Sequence, residues 1–347
     1  MPDKHAIVRK DVERVARDAA SLSALRDQSI LITGGTGFLG TWLTEILAHL
    51  NDKHGFHVKI NLLATRQTEF AERTPHLAHR PDVKLITQDV AHLVELPSQI
   101  QYLIHAAASP DNRLHASDPL RVIRTIVVGT QAVGECAARL PNIKRMLNVS
   151  SGLVYGAKAV GTEAISEHAF GGIDSTSLIN VYAEAKRMAE TISAAYRSQH
   201  RLPIITVRPF SFLGPYQVMD RPWAINNFIR DALHGGPVRI QGDGQTIRGY
   251  MYGADFAWWV LNILVRAEVG QAYNVGSPSG INLRDLASKI AGLMPSQPRI
   301  STGLFSEGVP RTSFVPDTSL VSRDLGLTQA FELSEALRRT IEWHQAS

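Results

Sequence analysis

Tyr182 and Lys186 stand four residues apart in a stretch of helical periodicity, which places both side chains on one face of a helix. A phenol with a reference pKa of about 10 is a poor base at neutral pH, and a neighbouring ammonium group, reinforced by a cationic cofactor ring, lowers that value by favouring phenolate. Ser151, in the segment Val149-Ser150-Ser151-Gly152-Leu153-Val154-Tyr155-Gly156, ends a predicted strand and offers a second hydroxyl to the same substrate oxygen. Together the three residues form a device for moving a proton on and off a hydroxyl group.

A second constellation lies earlier. Gly34-Gly35-Thr36-Gly37-Phe38-Leu39-Gly40 separates an apolar run, Ser29 to Thr33, from a helical pattern through Trp42, Leu43, Ile46 and Leu47. Strand, glycine turn and helix in that order let a pyrophosphate approach bare backbone N–H groups at a helix N-terminus, where a Cβ would hold it away. The expected cofactor is therefore a dinucleotide touching Gly34, Thr36, Gly37, Phe38, Leu39 and Gly40. The next strand ends Leu62-Leu63-Ala64-Thr65-Arg66, without the acidic residue that would take an adenosine ribose, and Arg66 suits a 2′-phosphate. NADP is expected over NAD. Asp89 and Val90 are placed to reach the adenine, and Ala106, Ala107 and Ala108 after His105 keep the chain slim beside the cofactor.

The elements that must position these groups follow from further apolar runs at Lys59 to Ala64, Val83 to Ile86, Tyr102 to His105, Arg145 to Val149 and Pro203 to Val207, each set off by helical or loop-like sequence. This alternation predicts an α/β fold, a doubly wound, Rossmann-like parallel sheet of six or seven strands. Beyond Pro209, glycine and proline pairs mark a smaller mixed C-terminal substrate-binding region. The expected organisation is a helical extension over 1–27, with an amphipathic helix over 11–26, then a dinucleotide domain over 28–208, then a substrate region over 209–347 that returns some segments to the sheet.

Composition narrows the partners. Among 347 residues, apolar types make up 44% and charged types 20%, ordinary globular values. The longest nearly apolar run, Phe256 to Val265, is about half the roughly 20 residues a bilayer span needs, and no signal-peptide pattern opens the chain. A net charge of +4 without Lys/Arg blocks argues against nucleic acid and suits an anionic small molecule. The single cysteine, Cys136, cannot form an internal disulfide and is expected to be buried, as in a cytoplasmic protein. His76 and His79 lack a third ligand nearby and read as a surface loop; no metal is expected.

From residue 29 onward the chain resembles the extended short-chain dehydrogenase/reductases that modify nucleotide sugars, which include epimerases, 4,6-dehydratases and UDP-glucuronate decarboxylases. The resemblance is carried by the glycine turn, Asp89-Val90, His105 to Ala108, the Ser-Ser-x-x-Val-Tyr-Gly segment and Tyr182 with Lys186. Arg208-Pro209-Phe210, Gly214-Pro215, Asn227-Phe228-Ile229, Gly242-Asp243-Gly244 with Arg248, Asp255 and Tyr273 to Gly276 complete it. It implies that Ser151 and Tyr182 polarise and deprotonate a sugar hydroxyl while Lys186 and Pro209 border the cofactor. Ser151, Ser211, Asn227 and Arg248 would contact the nucleotide diphosphate sugar, and family members often form homodimers through the helices near Gly129 and Tyr182. Asp255 is expected to cap a helix starting at Phe256.

Three departures matter. Dehydratases and decarboxylases carry an acid directly before Val-Tyr-Gly, where this chain has Gly152 and Leu153, so water elimination is disfavoured unless Glu163 or Glu167 stands in. Ser211 replaces the usual asparagine, and Ile126 replaces another before Gly129-Thr130. The expected activity is sugar epimerisation, with NADPH-dependent 4-ketoreduction as the alternative. The intact Ser, Tyr and Lys set argues against a non-catalytic dinucleotide sensor.

Overall fold

The computed structural model describes residues 4–157, 164–303 and 311–346. Six strands, β1 (Ser29–Thr33), β2 (Lys59–Ala64), β3 (Val83–Thr87), β4 (Tyr102–His105), β5 (Arg145–Val149) and β6 (Ile204–Pro209), arise where the apolar runs were read. Seven shorter ones follow: β7 (Ser211–Leu213), β8 (Val238–Ile240), β9 (Ile247–Tyr252), β10 (Ala272–Val275), β11 (Gly280–Asn282), β12 (Ile300–Thr302) and β13 (Ser313–Phe314). The helices are α1 (Lys4–Val15), α2 (Phe38–His54), α3 (Thr68–Arg73), α4 (Pro75–Ala78), α5 (Asn112–Ser117), α6 (Pro119–Ile123) and α7 (Gly129–Ala138). They continue with α8 (Val181–His200), α9 (Ala224–Leu233), α10 (Gly253–Arg266), α11 (Leu283–Gly292), α12 (Ser319–Leu325) and α13 (Leu333–Gln345).

The main sheet is parallel throughout, in the order β10-β6-β5-β4-β1-β2-β3. The expected doubly wound fold is borne out. Strand order reverses between β1 and β4, and the crevice outside the carboxyl ends of those two strands is where such sheets bind ligands. The glycine turn leaves β1 and the His105–Ala108 segment leaves β4, so both expected cofactor segments open onto it. A second sheet, β11-β9-β13 with β7 beside β9, and a pair, β12-β8, make up the smaller region. Strand β10 returns to the main sheet beside β6.

The N-terminal segment differs from a single helix over 11–26. α1 begins at Lys4, and Ala16–Leu25 is a 3-10 helix interrupted at Asp18 (φ −97°, ψ 54°). Ala16, Ala19, Leu22 and Leu25 recur every third residue and all are buried, the stripe that three residues per turn presents to a core. Asp11, fully buried on α1, accepts the Tyr252 hydroxyl at 2.5 Å and pairs with Arg339 of α13. Burial pushes its carboxyl up to about 6.

Asp255 also behaves differently. α10 starts at Gly253, three residues before the expected first residue, and Asp255 lies inside it: its carboxylate accepts the N–H groups of Ala330 (2.7 Å) and Phe331 (3.1 Å). It pins the approach to α13, and burial pushes it up to about 7. Among the described residues no helix is long and apolar enough to cross a membrane, and α10, the most apolar stretch, is instead a core helix.

Candidate active site

Ser151, Tyr182 and Lys186 come together at the carboxyl end of β5. Strand β5 delivers Ser150 and Ser151, and α8 presents Tyr182 and Lys186 one turn apart. Ser151 caps the short turn that follows it, its hydroxyl accepting the Leu153 N–H at 3.1 Å, and it stands beside the Tyr182 phenol. All three residues are buried. Burial raises the Tyr182 phenol above its ordinary value, with the Ser151 hydroxyl opposing that shift.

The Lys186 ammonium lies 5.8 Å from the Tyr182 ring centroid and donates to the Val149 carbonyl at 2.6 Å. Burial lowers it to about 8, with the Glu190 carboxylate opposing. Below it His105, fully enclosed, sits between Thr33 (2.8 Å) and Thr130 (3.0 Å), and burial together with the Lys186 charge takes its imidazole down to about 3. Neutral His105 thus adds no second cation beneath the ammonium.

Sequence reasoning passed over the support behind these groups. Glu190 follows Tyr182 and Lys186 at the same four-residue step, a signal available from spacing alone. Its carboxylate accepts the Ser150 hydroxyl at 2.5 Å and takes Arg208 in a fork, at 2.9 and 2.7 Å. Arg208 in turn donates to the Tyr155 hydroxyl and to the Glu167 carbonyl, both at 2.9 Å, and Tyr155 donates to Asn274 at 2.7 Å. A buried, satisfied network of this kind fixes the loop that carries Ser151.

The glycine turn fits a dinucleotide. Gly34 has φ +67°, and a Cβ on it would lie 2.8 Å from the Ala106 carbonyl oxygen, so the turn and the segment after β4 pack backbone to backbone. A Cβ on Gly40 would fall well under 3.0 Å from the Gly35 backbone, so the third glycine seats α2 against its own turn. Gly37 is the N-cap and supplies no side-chain acceptor, which leaves the first N–H groups of α2, around Phe38, Leu39 and Gly40, for an anion. Thr36 is held from behind by Arg73, which donates to its carbonyl at 2.8 Å.

Arg66 stands at the end of β2, its side chain two-thirds exposed and only 3.6 Å from Glu69, free to turn toward a phosphate. Asp89 is exposed and accepts the Ala91 N–H at 2.9 Å; Val90 is buried against Gly129, where a Cβ would meet it at 2.8 Å. Ala107 and Ala108 continue from Ala106 along the crevice, and Pro209 closes β6 on its far side.

The residues expected to meet the substrate lie on or near β7, β9 and α9. Ser211 lies opposite Tyr250 in that pairing, and Phe314 lies opposite Arg248 on the other side of β9. Arg248 donates to the Ile247 carbonyl (2.8 Å) and to the carbonyl and hydroxyl of Thr312 (3.2 and 3.0 Å). No carboxylate pairs with it among the described residues, and its cation lies 5.8 Å over the Phe314 ring. Asn227, in the first turn of α9, accepts from Arg230 at 2.8 Å.

The departures also take physical form. A Cβ on Gly152 would meet Phe314 at 2.8 Å and Phe210 at 2.9 Å, so aromatic rings fill the space beside Ser151. Glu167 is no replacement acid: it is buried and accepts the Asn274 N–H at 2.9 Å. Glu163 lies outside the described residues. Ile126, in a π-helical turn over Arg124–Val128, packs in one cluster with Tyr182. His76 does not lie on a loop; it belongs to α4 and bonds Glu45 at 2.8 Å. Among the described residues no cluster has the make-up of a metal site.

Residues 30–276 match the profile of the NAD dependent epimerase/dehydratase family, and the chain belongs to that family. It is 29% identical over 332 residues to UDP-glucuronic acid decarboxylase 1 of Xenopus tropicalis, covering 94% of this chain and 76% of that one. Epimerase Mth375 of Methanothermobacter thermautotrophicus shares the fold with a TM-score of 0.80 at 21% identity, over 94% of this chain and 95% of the other. MoeE5, solved with UDP-glucuronic acid and NAD, superposes with a TM-score of 0.74 at 25% identity, over 92% and 99% of the two chains.

Proposed function

We propose that the protein is an NAD(P)-dependent epimerase of a nucleotide-diphosphate sugar. The observation that carries this reading is the convergence of Ser151, Tyr182 and Lys186 beside the glycine cradle at the reversal point of the sheet. Ser151 and Tyr182 hold one sugar hydroxyl. Tyr182 takes its proton as the hydroxyl becomes a carbonyl and returns it at the end of the cycle, and Lys186 supplies the positive charge that favours phenolate. A dinucleotide held by the turn from Gly34 to Gly40 would supply reversible hydride acceptance at the sugar carbon, and return of that hydride to the opposite face would invert the carbon with no net redox change. Ser211, Asn227 and Arg248 hold the diphosphate.

Elimination of water needs an acid beside the reacting carbons, and the aromatic filling at Gly152 together with the engagement of Glu167 supports a cycle that stops at epimerisation. Arg66 supports NADP, and with it the second reading, NADPH-dependent 4-ketoreduction. Leu120 (76% exposed), Ile123, Val128 and Met188 form an exposed apolar face on the helices around α6 and α8, which supports a homodimer. One buried, unpaired cysteine supports a cytoplasmic setting.

Incubation with a panel of nucleotide sugars and catalytic cofactor, followed by NMR, tests the reading. Inverted stereochemistry with cofactor unchanged is expected; stoichiometric NADPH oxidation on a 4-keto sugar establishes the second reading. A 4-keto-6-deoxy product from an unmodified sugar overturns both.

A further inference from the structure

The imidazole of His115 lies flat on the Tyr182 ring, centroids 4.7 Å apart and planes 15° from parallel. His115 is only 7% exposed, and its Nε2 bonds the Ser109 carbonyl at 2.8 Å, so the ring is held in place as well as stacked. It rides on α5, six residues long and too short to persist alone. Asp111, the N-cap of α5, accepts the Arg113 N–H at 3.0 Å, pairs with the Arg113 side chain, and pairs again with Arg221 from the loop ahead of α9. A continuous series of contacts therefore runs from Arg221, in the loop that leads into α9, through Asp111 and α5 to the face of the phenol.

The other neighbours of Tyr182 would let its ring slide. Ala108, Leu114, Val122, Ile126, Val181 and Ala185 are apolar and non-directional, Ser151 acts only at the hydroxyl, and among the described residues Lys186 is the one charged group recorded over the ring. His105 lies beyond Lys186, tied to its two threonines.

We propose that His115 is a positioning residue: its stacked ring fixes the plane of the Tyr182 phenol so that the hydroxyl points to Ser151, and the Asp111–Arg221 pair holds the segment that carries it. This rests on Tyr182 being the base of the proposed function.

The test compares His115→Ala with His115→Phe. His115→Ala should lower kcat about tenfold or more, approaching the roughly hundredfold that misplacing a reacting group can cost, while sugar KM and dinucleotide Kd stay within about threefold. His115→Phe keeps a flat ring and should recover most of that loss, with a kcat/KM pH profile that overlays the wild type. Fluorine NMR of protein labelled with 3-fluorotyrosine, with the Tyr182 signal assigned by its loss in Tyr182→Phe, reads the ring directly and needs no sugar. A shifted, narrowed signal is expected in His115→Ala, while His115→Phe keeps the wild-type linewidth. Wild-type turnover in His115→Ala, a His115→Phe variant as impaired as His115→Ala, or a displaced pH profile in His115→Phe would overturn the proposal. Absence of turnover by the wild type on every sugar would instead count against the epimerase reading, and an unchanged fluorine signal in His115→Ala would still refute the stack. If His115→Ala does not fold, Arg221→Ala, which frees α5 while leaving the stack, should give the same fluorine shift in weaker form; no shift in a folded Arg221→Ala overturns the coupling.

Discussion

Removing one charge behind the site should be costly. Glu190→Gln deletes the partner of Arg208, a guanidinium only 5% exposed and held by two bonds at 2.9 and 2.7 Å. Breaking a buried pair from one side costs about 3–5 kcal/mol, because the remaining charge is left without compensation. Arg208 keeps its bonds to Tyr155 and the Glu167 carbonyl, and glutamine retains one acceptor, so the lower end, about 3 kcal/mol, is expected. For a chain of this size that is a fall in Tm of roughly 4 °C. Urea unfolding at unchanged m measures it directly. The substitution also removes the carboxylate that opposes the lowering of Lys186, so that ammonium, at about 8 in the wild type, should lose its proton at a lower pH. The alkaline limb of activity should move down with it. A loss below about 1 kcal/mol, or an alkaline limb that stays where it was, would refute the network as the support of the site.

Other outcomes follow from single contacts. Gly40→Ala drives a methyl group into the Gly35 backbone and should abolish measurable dinucleotide binding by calorimetry, even if the variant folds. Asp255 carries a folded pKa of about 7 against 3.8, so the folded state binds its proton more tightly, and this contribution to stability is lost as pH rises from about 4 through 7. Asp255→Asn should therefore gain on the wild type across that window, on the order of 3 kcal/mol by pH 8, in urea titrations at pH 5 and 8; a pH-independent difference contradicts the assignment. Arg66→Ala should weaken NADP far more than NAD in parallel titrations, and equal losses return Arg66 to a solvated strand end.

The parts that could be read in advance share one property: their signal is local. Five consecutive buried residues in β1, the glycines that no Cβ can replace, and the single helical turn between Tyr182 and Lys186 all depend on neighbours in sequence. Glu190 obeys the same spacing and was missed because a lone glutamate on a helix face most often meets water; here it meets Arg208, whose own position depends on β6. His115 offered no signal at all, since it sits in a short helix whose geometry is imposed by Asp111 and Arg221. Asp255 carried the right residue type for a cap, but the N–H groups it serves belong to Ala330 and Phe331, far along the chain. Ala16 to Leu25 kept their buried stripe and changed helix type, because spacing by three reports which side faces the core more reliably than it reports the turn.

The central claim is that Tyr182 carries the proton. Turnover of Tyr182→Phe on the sugar that the wild type inverts is the direct measurement, taken alongside its dinucleotide affinity. Tyr182→Phe removes one hydroxyl and keeps the buried ring, so it should spare the fold and keep cofactor affinity within about threefold while turnover falls by about a hundredfold or more. Turnover near the wild-type rate in the folded, cofactor-binding variant would contradict it.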